Sequence, residues 1–182
     1  MPADNSLNTK GISAFFWSAI NTGGMQLIGL IFSIMLARLL APEDFGNMAV
    51  LVFIVLVANV FVDSGLSHAL IRESEVSSID YDSVFLFACG VSVFCSILIF
   101  VSAGLISDFF DSAILRDLIR IGAISPVVYA LMTINTTLLT KALNFRLKAK
   151  LSIASIIFSG LTGLVLALTG HGVWSLLAMH LL

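Results

Sequence analysis

The chain has 182 residues, of which 59% are hydrophobic and 11% charged, with a mean hydropathy of +1.08. A water-soluble domain of that length could not cover so much apolar surface with polar groups, so the composition excludes one and indicates an integral membrane protein. The net charge of -2, without a basic patch flanked by aromatic residues, argues against nucleic acid as a partner.

Residues 1–11 are polar and carry one cation, Lys10, and they read as an N-terminal tail. The apolar segment that follows is too long for a signal-peptide core of about 7–15 residues and has no small-residue cleavage site, so it reads as a retained first span over 12–40. A helix needs about 20 mostly apolar residues to cross the hydrocarbon core. Further stretches at 46–70, 84–106, 118–139 and 151–169 meet that requirement. The connectors APEDFG, IRESEVSSIDYD, SDFFDSAILRD, KALNFRLKAK and GHG hold the breakers and most of the charges. After the last connector, 173–182 begins a sixth apolar run about half as long as a span requires, and the chain is expected to be part of a longer one. Cys89 and Cys95 lie six apart inside the third span, where a helix turns them away from each other. That spacing argues against a disulfide or a metal pair.

Basic residues near the span ends set the expected orientation. With a cytoplasmic N-terminus, Lys10, Arg72, Lys141, Arg146, Lys148 and Lys150 fall inside, and Arg38, Arg116 and Arg120 fall outside. The connector from Lys141 to Lys150 dominates this asymmetry and reads as a topology anchor. Anionic lipid or substrate contact is the second reading of it.

In lipid, stripes of small or hydroxylated residues mark where a helix meets another helix or a wet cavity. The first span carries Ser18, Thr22, Gln26, Gly29 and Ser33 on one face, and the second carries Asn59, Asp63 and Ser67. Ser125, Tyr129, Thr133, Thr136 and Thr140 line one face of the fourth span, and Ser152, Ser155, Ser159 and Thr162 one face of the fifth. Tight packing explains the fifth stripe, where Ser155, Ser159 and Gly163 repeat at steps of four. Asn21, Gln26 and Tyr129 are larger than close packing requires and suggest a polar lumen.

Asp63 is the most unusual residue in the pattern, because a carboxylate inside a span is expensive and is either paired or functional. Treated as a hairpin about Pro42, the first two spans place Asp63 level with Asn21 or Thr22. Two readings stand: a hydrogen-bond brace to Asn21, Ser64 or Ser67, or a proton or Na⁺ site. Arg38 lies too far along the chain to reach it and is expected to pair with Glu43 or Asp44 in the turn.

The segments LARLLAPEDFG (36–46), VFVDSGLSHALI (60–71), KALNFRLKA (141–149) and GHGVWSLLA (170–178) occur in the order and at the spacings of a known family. In them the chain resembles the polysaccharide-unit exporters of lipopolysaccharide and colanic-acid type, within the multidrug/oligosaccharidyl-lipid/polysaccharide flippase superfamily. The resemblance implies an all-α polytopic membrane protein, this chain being the partial N-terminal six-helix lobe of a two-lobe flippase. It also implies transfer of an undecaprenyl-diphosphate-linked oligosaccharide across the bacterial inner membrane by alternating access, with membrane lipid and polysaccharide-assembly proteins as partners and no cofactor. The candidate cavity residues are Asn21, Thr22, Gln26, Asp63, Tyr129, Thr133 and Arg120. Ion-pair and topology roles fall to Arg38, Glu43, Asp44, Lys141, Arg146, Lys148 and Lys150.

Two departures are visible. A diphosphate is best met by Arg or Lys, yet none lies deep in the first three spans, and the second lobe lies outside this sequence. Motifs for enzymes are missing: there is no HExxH, P-loop or GxSxG, and His68, His171 and His180 have no metal-ligand spacing. The alternatives are a cation-coupled multidrug exporter of the same superfamily, using Asp63, and a non-functional truncated remnant.

Overall fold

The computed structural model describes residues 21–63, 78–141 and 145–182, with side chains described over 21–63, 85–133 and 147–182. Every regular element among the described residues is an α-helix. In chain order they are α1 (Asn21–Ala37), α2 (Pro42–Asp63), α3 (Ser78–Phe109), α4 (Ala113–Gly122), α5 (Ser125–Lys141), α6 (Phe145–Leu168) and α7 (Val173–Leu181). Within α2, α3 and α6, the segments Pro42–Asp63, Phe85–Phe109 and Leu147–Leu168 are long and apolar enough to cross a membrane.

The helix ends are written in local chemistry. Pro42 opens α2 at a position where its missing N–H costs nothing. Asp44 reaches back from the first turn to accept the Ala41 N–H at 3.2 Å, half of a capping box. At the far end of α3, Asp111 takes a left-handed φ of 49°, and the Ser112 N–H returns to the Ser107 carbonyl at 3.1 Å. That is a Schellman stop with aspartate in the position glycine usually holds. Gly170 at φ 81° ends α6 the same way, with the His171 N–H on the Leu166 carbonyl.

The central helix is α2. Met48, Leu51, Val55, Ala58 and Val62 form its buried stripe at alternating steps of three and four, the spacing of a helix seam. Against that stripe pack Ile99 and Ala103 of α3, Leu115, Leu118 and Ile119 of α4, and Val173 and Leu177 of α7. Its other face presents Phe53, Leu56, Val60 and Phe61 outward. Exposed apolar side chains cover α1, α3 and α6 as well. Such a surface is stable only where lipid replaces water.

The connectors are shorter than the hydropathy pattern suggests. The expected fourth span over 118–139 is two helices, because Pro126 cannot donate to the Gly122 carbonyl and the chain tightens there. At the break the Ile124 N–H bonds back only three residues, to Ile121. The stretch 113–117, expected as connector, is already helical. Its charges do not break α4: Arg116, Asp117 and Arg120 line its exposed side while Leu115, Leu118 and Ile119 are fully buried. Arg146, Lys148 and Lys150 likewise sit in the first turns of α6 rather than in a loop. The second expected span, 46–70, begins four residues early at Pro42, and its portion after Asp63 lies outside the described residues.

Candidate functional site

One turn separates Asn59 from Asp63, so both project from the same side of α2. Opposite them, α5 brings Ser125, Val128, Tyr129 and Met132, and α7 brings His180 and Leu181. Between the three helices lie two adjoining hollows of about 330 and 170 Å³, which share Val55, Asn59, Tyr129 and His180 as walls. Helices α2, α5 and α7 therefore converge on a polar spot within an otherwise apolar protein.

The polar atoms of this spot are unsatisfied. Asn59 Oδ1, Asp63 Oδ1 and Ser125 Oγ are buried and have no hydrogen-bond partner. A buried polar atom left unpaired costs about 1–3 kcal/mol, so three around two adjoining hollows are an expense the fold carries for a reason. Other hydroxyls in the chain behave differently. Thr133 Oγ1 donates to the Tyr129 carbonyl at 2.8 Å, Thr162 Oγ1 to Phe158 at 2.9 Å, and Ser175 Oγ to Gly172 at 2.7 Å. Those groups are spent on their own helices. By contrast, a larger groove of about 510 Å³ between α2 and α3 is walled by Phe53, Val57, Phe61, Phe94 and Leu98, with no polar neighbour beyond Cys95. Its chemistry is that of lipid.

The break between α4 and α5 shapes this site. Ser96 Oγ of α3 donates to the Ala123 carbonyl, which the interrupted helix leaves open. Ser125 begins α5 immediately afterwards and lines the smaller hollow, while the Val127 and Val128 N–H groups of that first turn donate to the Ile124 carbonyl. Discontinuous helices at membrane depth are tolerated where they line a cavity.

Of the cavity candidates read from sequence, Asp63 and Tyr129 line this hollow. Thr133 lies one turn beyond Tyr129 and is bonded to its backbone. Thr22 and Gln26 lie on an exposed side of α1 and do not wall the hollow. Asn21 Oδ1 is buried and unpaired, and no hydrogen bond joins it to Asp63. Helix α1 packs on α6: a Cβ at Gly24 or Gly29 would meet Ile153 or Ile156, and Gly160 faces the Phe32 ring. The Ser64 and Ser67 partners considered for Asp63 lie outside the described residues.

Arg120 is exposed on α4 and stacks its guanidinium over the Phe100 ring at 5.6 Å. Arg38 pairs with neither Glu43 nor Asp44, since Asp44 turns inward to cap α2. The ion pair found among the described residues is Arg116 with Asp108 at 3.1 Å, exposed on both sides. Lys148 is half-buried and Lys150 exposed, while the side chains of Lys141 and Arg146 lie outside the described set.

Asn59 and Ser125 belong to the polar stripes but had no individual signal. His180 has no metal-ligand spacing in the sequence, yet it lines the hollow because α7 packs against α2. The clue available for Ser125 was its position before Pro126, where a helix gives up backbone partners.

These helices and motifs can be compared with known proteins. The family described as polysaccharide biosynthesis protein matches residues 35–182. The chain belongs to that family. It is 28% identical over 123 residues to the lipopolysaccharide biosynthesis protein WzxC of Escherichia coli, covering 68% of this chain and 25% of that protein. It is also 28% identical over 162 residues to the succinoglycan biosynthesis transport protein ExoT of Rhizobium meliloti, covering 89% of this chain and 33% of the relative. An uncharacterized membrane protein in the cps region of Klebsiella pneumoniae is 26% identical over 165 residues, with 88% and 32% covered. The chain thus spans a quarter to a third of the length of these relatives. No solved structure matches it significantly. Family membership and the apolar helices together make this a multi-pass membrane protein of polysaccharide biosynthesis.

Proposed function

We propose that the chain forms the N-terminal portion of a flippase for undecaprenyl-diphosphate-linked oligosaccharide repeat units. The units would pass from the cytoplasmic to the periplasmic leaflet of the bacterial inner membrane, by alternating access, to supply surface polysaccharide. The observation that carries this reading is the unsatisfied polar hollow between α2, α5 and α7, set in helices whose outer faces suit lipid. A sugar headgroup cannot cross hydrocarbon without replacement of its water, and a hydrogen-bonding cavity between helices supplies that replacement while the prenyl chain stays in lipid. No covalent chemistry is needed, which fits a transporter rather than an enzyme.

The names of two relatives, one of lipopolysaccharide biosynthesis and one of succinoglycan transport, favour the polysaccharide reading over drug export. Polysaccharide-assembly proteins are the partners this role implies, and the distribution of Lys and Arg supports a cytoplasmic N-terminus. The diphosphate would be met outside the hollow, because none of the described residues lining it is Lys or Arg. Deleting the gene from its native bacterium tests the reading. Lipid-linked repeat units should accumulate on the cytoplasmic face and surface polysaccharide should fall, both restored by the gene supplied in trans. Unchanged surface polysaccharide, with no accumulation, would refute it.

A further inference from the structure

We infer that the hollow between α2, α5 and α7 is a sugar subsite selective for a neutral monosaccharide ring over an acidic one. The inference rests on the transport reading above and adds to it the chemical class of sugar that this part of the protein accepts.

The argument starts from the atoms left without partners. Asn59 Oδ1 is an acceptor, Asp63 Oδ1 is a carboxylate acceptor, and Ser125 Oγ both accepts and donates. Ser125 is 8% exposed, so its hydroxyl cannot be satisfied by bulk water. Asn59 and Asp63 line the larger hollow, and Asn59 and Ser125 the smaller one beside it, so a ligand that completes both must bring several hydroxyl or amine donors. A sugar ring does so. The flanking surface fits as well: Tyr129 offers an aromatic face for ring C–H groups, and Val52, Val55 and Leu56 supply apolar contact.

Size and charge narrow the choice. The larger hollow, about 330 Å³, stands at the lower end of ligand pockets, roughly 300–1,000 Å³, and suits one monosaccharide rather than a repeat unit. A hard cation such as calcium draws about six to eight oxygen ligands within about 2.6 Å, and a hollow of this size, half walled by valine and leucine, does not converge that many. A phosphate would find no Lys or Arg among the described lining residues and would meet Asp63 instead. For the same reason a uronic acid is disfavoured: its carboxylate would face Asp63 and leave Asn59 Oδ1 unpaired.

The test uses the protein made from its native gene, purified into lipid nanodiscs. Two prenyl-diphosphate-linked oligosaccharides of equal length serve as probes, one built of neutral hexoses and one with each hexose replaced by its uronic acid. Binding of both is measured by native mass spectrometry in sodium and in potassium buffer. The neutral probe should bind at least about tenfold more tightly. Asp63→Asn should reduce that ratio to within about threefold, and Ser125→Ala should weaken both probes by about threefold to tenfold without changing their ratio. Should Asp63→Asn fail to insert, Asn59→Asp adds a second negative charge and should widen the ratio.

Equal affinity for both probes in the native protein would overturn the subsite while leaving the flippase reading intact. A ratio that survives Asp63→Asn would overturn it too. A sodium dependence that Asp63→Asn abolishes, with no effect on sugar discrimination, would assign the residue to a cation instead. Failure to bind either probe would count against the flippase reading itself.

Discussion

Gly122 and Gly160 hold helices together by what they lack. A Cβ built on Gly122 would lie 2.5 Å from a methyl of Leu51, a side chain with no exposed surface and nowhere to move. Overpacking of this kind costs about 1–3 kcal/mol, whereas the gain in helix propensity from glycine to alanine returns about 1 kcal/mol. Gly122→Ala should therefore lower the unfolding temperature in detergent. Gly104→Ala, where a Cβ would meet nothing within 4 Å, should leave it unchanged or raise it. The pair tests packing against propensity in one experiment. Charge is a weaker lever at this scale. Asp108 and Arg116 are 72% and 44% exposed, so Arg116→Ala should change stability by less than about 1 kcal/mol in the same assay. Sequence showed that small residues recur along the fifth apolar stretch, and Ser159 and Gly163 are buried there while Ser155 is exposed. It could not show that Gly160, one step off that stripe, receives the Phe32 ring, because the choice of partner helix is a tertiary fact.

At the scale of elements, the discontinuity between α4 and α5 decides the most. Hydropathy averaged over a window treats Asp108, Asp111, Arg116, Asp117 and Arg120 as a break, so the connector is expected to reach residue 117. The helix nevertheless resumes at Ala113, because the charges share one side and the leucines the other. The true interruption falls at 123–124, where Pro126 withholds a hydrogen bond and leaves Ser125 at the start of a new helix. Sequence contained that signal too, since Pro126 suggests a kink in the fourth span, but not its consequence for the Ser125 hydroxyl. Pro126→Ala restores a donor for the Gly122 carbonyl and should let α4 and α5 merge. Spin labels at Asp117→Cys and Leu131→Cys, placed in a background lacking Cys89 and Cys95, would report the change. A continuous helix separates those backbones by about 21 Å, and the measured distance should rise toward that value in the alanine variant. An unchanged distance would mean that packing against α3, through Ser96 on the Ala123 carbonyl, holds the break without proline.

For the whole molecule, the arrangement of turns makes a claim about sidedness that sequence reached only by counting charges. Ser112 Oγ, between α3 and α4, donates to Asn47 Oδ1 near the start of α2 at 3.1 Å. A Cβ on Gly172, between α6 and α7, would stand 3.5 Å from Asp44 Oδ1 in that same first turn. The turns before α2, after α3 and after α6 therefore share one end of the bundle, with Arg38 and Arg116 beside them. Lys148 and Lys150 open α6, whose 24 residues carry the chain about 36 Å to its other end. Cytoplasmic ends gather Lys and Arg, and the count by sequence favours the Lys150 end as the inner one. Single cysteines at Ala41, Phe110 and His171, in the background without Cys89 and Cys95, should all react with a membrane-impermeant maleimide added to spheroplasts. Lys150→Cys should react only after the membrane is opened. If Lys150→Cys reacts from outside and the other three stay silent, the bundle is correct and its orientation is reversed, which would move the loading face of the proposed flippase to the opposite leaflet. If the three turns disagree among themselves, the contacts of Asn47 with Ser112 and of Asp44 with Gly172 cannot both exist, and the packing of α7 that brings His180 to the polar hollow falls with them.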